Sequence, residues 1–482
     1  MNNTNNKLSY ESFSNKQRTL VTIGCLGLIF STGAYGLSLA TIQGPLLRSI
    51  GAESAFSLVA IIGALAMCIM TPIGGRLCDI FGIRKVVLVG GIIAIISGLI
   101  FPFAKNLPLF IACYFFLYLA EGAFITSPYI MANIINKPKD VPKMMGLISA
   151  MLGLSSFLGS YLAGVLTDHN MMTLAILFPI IGLLVGVPCI ALNYPSQERS
   201  TSVKLDIPGI ILLVLTLAGI LLGLNFGPAA GWSHPIVITC FIVGILSLFV
   251  LIWYEKKPES PLIPLRMFKN KQYTMLLVIT FLVVFYMSAV STYVPRSVQD
   301  ILQQSVTVSG TITIPRTIIT VLLPSFVGVW LSKNLAKNTV ISLVIAGLCI
   351  GVAFTGLIYV GPHMPVWFII VMVGLTGIAD AFRSVCITPE AQTLLAPKDM
   401  GIGTWFIGFV ISLSNVVSAT VDGIAYDTLR LSVPGIPGIT EGVDTVFLIA
   451  AVTGFATFLI TWLVYSNMSK KRLKKLAEEK AQ

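Results

Sequence analysis

The stretch "YFFLYLAEGAFITSPYI", residues 114–130, is apolar almost throughout, yet Glu121 stands in its middle. It reads as part of a helix crossing a bilayer, which needs about 20 mostly apolar residues. The rest of the chain is of the same kind. Of 482 residues, 56% are hydrophobic and 11% charged, and the mean hydropathy is +0.90. Soluble proteins carry about 25% charged residues. A soluble chain this apolar has too few polar residues to cover its own surface. The fold class expected is therefore an all-α integral membrane protein. An ionisable group inside a span costs about 2.5–3.5 kcal/mol on insertion scales, so Glu121 is a functional candidate from the outset.

Fourteen apolar runs predict helices over 20–46, 55–75, 86–104, 107–134, 145–166, 172–192, 207–227, 235–254, 273–295, 307–331, 339–360, 364–388, 401–425 and 443–467. The loops test this count. With the N-terminus cytoplasmic, 25 of the 31 Lys and Arg fall on the inside. Four fall outside (Arg48, Lys105, Arg296 and Arg430), and Arg316 and Arg383 lie within helices. This is the asymmetry that the positive-inside rule requires. A missed helix would scramble every later loop. Both termini are expected in the cytoplasm. The first 19 residues are polar, and the apolar run from Leu20 is too long for a cleaved signal, so it reads as a retained helix. The tail "SKKRLKKLAEEKAQ" (469–482) reads as a basic topological anchor, with contact to anionic lipid as the alternative.

Several function classes drop out. The net charge of +11 follows the topology and does not imply nucleic acid. Eight Cys are scattered singly and three His lie at predicted helix ends, without metal-ligand spacing. No phosphate-binding Gly-Lys-Ser/Thr loop follows a strand, so no nucleotide partner or ATP-driven pump is expected. No Ser/His/Asp or Cys/His constellation supports an enzyme. No cofactor or metal is expected; a proton gradient is the expected energy source.

After the second helix comes "GGRLCDIFGIRK" (74–85). It resembles the loop 2–3 signature of the major facilitator superfamily, with Gly75, Leu77, Asp79, Gly82, Arg84 and Lys85 matching and Ile80 departing. Two glycines permit a tight turn, and an acid with cations at a helix end can form a latch that breaks as two halves rock. Gly75, Asp79, Gly82, Arg84 and Lys85 are the candidate gating loop. Around Pro324, "PSFVGVWLSKNLAKN" looks like a decayed second copy, with Ser332 where the acid would stand. "LDIPGIILLVLTLAGILLGLNFGPAAGW" is similar to the extra central pair of the fourteen-helix, drug/proton antiporter-like branch, and "TYVPRSVQDILQQS" to its helix 9–10 connection.

The resemblance implies the major facilitator fold: two six-helix bundles plus two extra central helices, 14 transmembrane helices in all. The implied division is an N-terminal bundle over 1–192, two added helices with linkers over 193–272, and a C-terminal bundle and tail over 273–482. Three antiporter features depart from the pattern. The family's helix 1 acid falls on Gly36, and its helix 4 Arg on Phe116 or Tyr118. Its Gly-Pro antiporter motif reads "GSYLAG", with Ser160 for Pro.

Other charges take their place as candidates for substrate or proton coupling. Glu121 lies roughly 21 Å along its helix, with no cation at i±3 or i±4. A carboxyl buried without a cation is best kept neutral, so it can load and release a proton as access alternates. The alternative is a neutral structural acid. Asp380 and Arg383 share one helix face at i, i+3, either as a charged contact near the cavity's cytoplasmic end or as a self-satisfied structural pair near the interface with Arg383 snorkelling. Arg316, roughly 15 Å deep, must face protein or water, either recognising an anion or acting as a structural partner to Glu121 or Asp380. The resemblance implies two halves built as repeats, so with helices 7 and 8 removed helix 12 is the implied counterpart of helix 4, and "AEGAF" and "ADAF" place Glu121 and Asp380 at similar depths. Two acids across a cavity could bind a cation or share a proton. Asp422 reads as interfacial, near the outer end of helix 13. Phe285, Tyr286 and Tyr293 either line the cavity or pack.

The expected protein is a monomeric, multi-pass secondary transporter of a bacterial cytoplasmic membrane. It moves a small amphipathic organic solute by alternating access, with proton-coupled efflux as the first reading. Uptake or exchange of an organic anion is the second, favoured by Arg316 and Arg383. A non-transporting sensor of the same fold is the third; the short loops argue against it.

Overall fold

A computed structural model describes residues 10–137, 141–196, 206–255, 265–361, 363–395, 400–433 and 435–481. Among them are fourteen helices long and apolar enough to cross a membrane. They are α1 (Asn15–Ser49), α2 (Glu53–Cys78), α3 (Ile83–Phe103), α4 (Leu107–Ala132), α5 (Leu147–Asp168), α6 (Met172–Asn193) and α7 (Ile207–Gly227). There follow α8 (Pro235–Tyr254), α9 (Lys271–Ile301), α10 (Val306–Lys333), α11 (Leu335–Leu357), α12 (Val366–Leu394), α13 (Phe406–Arg430) and α14 (Ile436–Lys474). The chain is a multi-pass membrane protein, with the expected helix count. Lys7, Lys139, Arg199, Lys204, Lys256, Lys257 and Lys398, used above to orient the chain, lie outside the described residues, as does the side chain of Asp79.

Local sequence explains the breaks. In α4 the regular helix stops at Phe124 and resumes at Ser127. Pro128 lacks an N–H, and its ring would collide with the Phe124 carbonyl four residues back. Between α2 and α3 the chain turns at Gly82, whose φ of +84° suits glycine. Of the two signature glycines expected in this turn, only Gly82 makes it. Gly75 lies inside the helix, which runs on to Phe81.

The two sets of six helices repeat one packing pattern. In the first, α1 packs on α5 and α6, α4 on α2 and α3, and α3 on α6. In the second, α9 packs on α13 and α14, α12 on α10 and α11, and α11 on α14. This makes α12 the counterpart of α4 and α10 that of α2. The halves meet where α2 packs on α13 and α5 on α10. The added helices α7 and α8 pair with each other, and α7 leans on α2 and α13.

Among the described residues, the polar contacts between the halves include a group at the end opposite the tail. Arg48 of α1 pairs with Asp300 of α9 and, at 2.6 Å, with Glu53. The amide of Gln299 donates to the Thr41 carbonyl at 3.0 Å. Asp168 of α5 accepts from the backbone N–H groups of Val306 and Thr307, at 3.2 and 2.8 Å. Phe56 of α2 carries the Arg296 guanidinium over its ring at 4.1 Å.

Two expectations are corrected here. Arg296 is not a loop residue. Two π-helical segments, Ala289–Tyr293 and Ser297–Ile301, carry α9 onward. Arg296 is thereby buried against Asp300 (3.1 Å) and the Tyr426 hydroxyl (2.7 Å). Asp422 is not interfacial. Its helix continues to Ser432, and Asp422 is 1% exposed, with one carboxylate oxygen lacking a hydrogen-bond partner.

Candidate functional site

Four of the predicted site residues occupy α4, its counterpart α12, and α10 beside α12. In the second half three of them form one cluster. Arg316 of α10 pairs with one carboxylate oxygen of Asp380 on α12. Arg383, one helical turn further along α12, donates through Nε to the other oxygen at 2.6 Å. The partner of Arg316 is thus Asp380. The approach is close because Gly377 lets the helices touch: a Cβ there would stand 2.9 Å from the Arg316 Cα. Both guanidiniums also point at the Met287 sulfur, at 3.4 and 3.9 Å. A thioether is a weak acceptor. One carboxylate therefore serves two guanidiniums, and Arg316 Nε has no hydrogen-bond partner. The cluster keeps one spare positive charge in a poorly hydrated place.

Among the described residues the first half has no such cluster. Glu121 on α4 is 1% exposed, and its Oε1 has no hydrogen-bond partner. Three tyrosines, Tyr35 on α1 and Tyr114 and Tyr118 on α4, lie within electrostatic range.

The decayed copy of the loop signature explains the difference. Aligning Asp79 with Ser332 aligns Gly75 with Gly328, and twelve residues before these stand Gly63 and Arg316. Tyr118, three residues before Glu121, corresponds to Gly377, three before Asp380. The contact between these two helices is thus exchanged between the halves. In the second half a large Arg316 on α10 fits against Gly377 on α12. In the first, Gly63 on α2 makes room for α4: a Cβ there would collide with the Tyr114 ring and stand 3.2 Å from Tyr118. The N-terminal half has the acid but not the cation.

Gly36 and Phe116, where the family pattern puts charges, differ in setting. A Cβ on Gly36 would meet nothing within 4 Å, so this face of α1 borders open space. Phe116 is 49% exposed on the outer face of its helix, whereas Tyr118 packs inward. Tyr286 and Tyr293 are fully packed. The Tyr286 hydroxyl reaches the Thr376 carbonyl at 3.5 Å, and Tyr293 stacks at a tilt on Tyr426, 5.3 Å away. In the gating loop Arg84 is half-buried and Lys85 exposed.

One ion pair and one buried acid were not expected from the sequence. The Arg296–Asp300 pair had a signal, its i, i+4 spacing in "TYVPRSVQDILQQS". Glu390 had none. It lies past the expected end of helix 12, buried, and receives the Tyr465 hydroxyl at 3.1 Å and Arg472 of the tail at 3.2 Å.

A sequence profile described as Major Facilitator Superfamily matches residues 23–419. The chain is 26% identical over 323 residues to "Multidrug transporter protein MdtP" of Bacillus subtilis (strain 168), covering 67% of this chain and 59% of that protein. It is 24% identical over 415 residues to "Multidrug resistance protein 3" of the same organism, covering 84% and 78%. Among solved structures, one titled for substrate recognition in proton dependent oligopeptide transporters aligns with a TM-score of 0.64 at 14% identity, over 96% of this chain and all of that one. The human organic anion transporter MFSD10 aligns at 0.58 and 16% identity, over 92% of this chain and all of that one. At such identities the structural likeness speaks for the fold alone.

Proposed function

The chain belongs to the major facilitator superfamily, and from that we propose that it is a secondary transporter that exports small amphipathic organic solutes in exchange for protons. The observation that carries the coupling is the Glu121 carboxyl, buried without a cation on a helix whose counterpart holds a fully paired acid. An acid in that setting is stable when protonated and costly when charged. It therefore exchanges its proton when the halves rock and water reaches it. Asp380, held by two guanidiniums, has little reason to take up a proton; it fixes the positions of Arg316 and Arg383.

Alternating access needs one end closed while the other opens. The contacts from Arg48, Glu53, Asp168 and Gln299 to the other half close the end opposite the tail. By the distribution of Lys and Arg, that end is external and the protein is proposed to sit in a bacterial cytoplasmic membrane as a monomer, with both termini inside. The relatives named as a multidrug transporter and a multidrug resistance protein support the efflux reading. A second reading, movement of an organic anion, is favoured by the spare positive charge of the Arg316–Asp380–Arg383 cluster, since a bidentate guanidinium suits a carboxylate.

The test is transport in sealed vesicles with a panel of cationic, neutral and anionic solutes, with and without an imposed pH gradient. Export that ignores the gradient across the whole panel would overturn the coupling. Arg316→Ala that loses anionic solutes alone would establish the second reading.

A further inference from the structure

A slot of about 360 Å3 opens on the outer face of the N-terminal half, between α2 and α3. Met70 and Phe81 form one wall, Val89 and Ile93 the other, and Ala120 and Ala123 of α4 the floor. The slot exists because α3 is drawn onto α4. A Cβ on Gly90 would stand 3.1 Å from the Phe124 ring, and small alanines leave the gap unfilled. The lining is apolar except at the mouth, where Lys85 stands beside the Gly82 turn. Lys85 is exposed and forms no ion pair among the described residues.

We propose that this slot binds an anionic phospholipid, one acyl chain in the slot and the phosphate-bearing head group on Lys85. Three observations carry it. From the level of Lys85 the α3 wall reaches roughly 12 Å inward at Ile93, and the α2 wall roughly 16 Å from Phe81 to Met70. One leaflet of hydrocarbon is about 15 Å thick, so the slot has the length of a chain lying in it. The apolar walls offer no hydrogen-bonding groups to orient a polar solute. Among the described lining residues Lys85 alone is charged, a cation at the depth of the head groups, where clustered negative lipid attracts Lys and Arg. Because α2 also packs on α13, a lipid wedged here ties the bilayer to the interface between the halves.

The experiment uses the full chain reconstituted in vesicles of mixed phosphatidylglycerol and phosphatidylcholine. In parallel samples one or the other lipid carries a photoactivatable group in its acyl chain, and the labelled peptides are mapped. Both lipids are present in both leaflets, so the result does not depend on orientation. The expected result is that residues 70–93 take more label from phosphatidylglycerol by about fivefold, the factor one cation near the surface supplies. Lys85→Gln should bring the ratio to about one. The distant exposed change Lys105→Gln should leave it unchanged. Val89→Trp, which narrows the slot, should reduce labelling by both lipids. Equal labelling by the two lipids, or an excess that survives Lys85→Gln, would overturn the site. So would labelling lost to an added amphipathic drug without any head-group preference, which would make the slot a solute portal.

Discussion

Arg316 and Gly63 stand at equivalent positions in the two halves, one a buried cation joined to Asp380, the other a bare backbone under Tyr114 and Tyr118. This single exchange separates the two buried acids chemically. Asp380 is held between two guanidiniums. Glu121 has no cation beside it among the described residues.

Glu121→Gln is expected to abolish transport driven by a pH gradient while sparing solute exchange across vesicles at equal pH. The isosteric amide keeps the size and removes the titratable proton. Paired measurements of gradient-driven export and counterflow decide it; full gradient-driven export by the variant would refute the role.

Asp380→Asn should destabilise the protein more than Arg316→Ala or Arg383→Ala. It strands two guanidiniums, whereas either Arg variant leaves Asp380 one partner. Removing one member of a buried ion pair costs about 3–5 kcal/mol. Thermal unfolding in detergent should rank Asp380→Asn as the least stable of the three, and a reversed order would contradict the shared-carboxylate geometry.

Gly63→Ala should be destabilising by about 1–3 kcal/mol, because the added methyl meets the Tyr114 ring in a packed contact. Tyr114→Leu in the same chain should recover part of the loss. Equal stability of Gly63→Ala and the parent would show that the two helices are not in close contact there.

Arg48→Ala removes the pairing with Asp300 that ties α1 to α9. The end opposite the tail should then open more often. A Cys placed at Gly36, which borders open space, should react several-fold faster with a membrane-impermeant maleimide applied from that side. An unchanged rate would mean that the pair does not restrain opening.

Much of this was legible in the chain itself. Helix number follows from hydrophobic run lengths, which the bilayer thickness sets. The i, i+3 spacing of Asp380 and Arg383 put them on one face, and their contact followed. The partner of Arg316 was not legible, because it lies 64 positions away on another helix and the choice turned on Gly377 allowing the approach. Asp422 and Arg296 were misplaced for a related reason: where a helix ends in protein rather than in water, hydropathy does not mark its end.

By itself, the sequence determined that this chain spans a membrane fourteen times and carries four ionisable groups too deep to be casual. Those are consequences of local composition against a solvent of known thickness. Only the tertiary structure decided which of the described charges meet and which acid has no cation beside it among the described residues. These depend on distances between helices far apart in the chain, set by whether a glycine or a large side chain stands at each crossing.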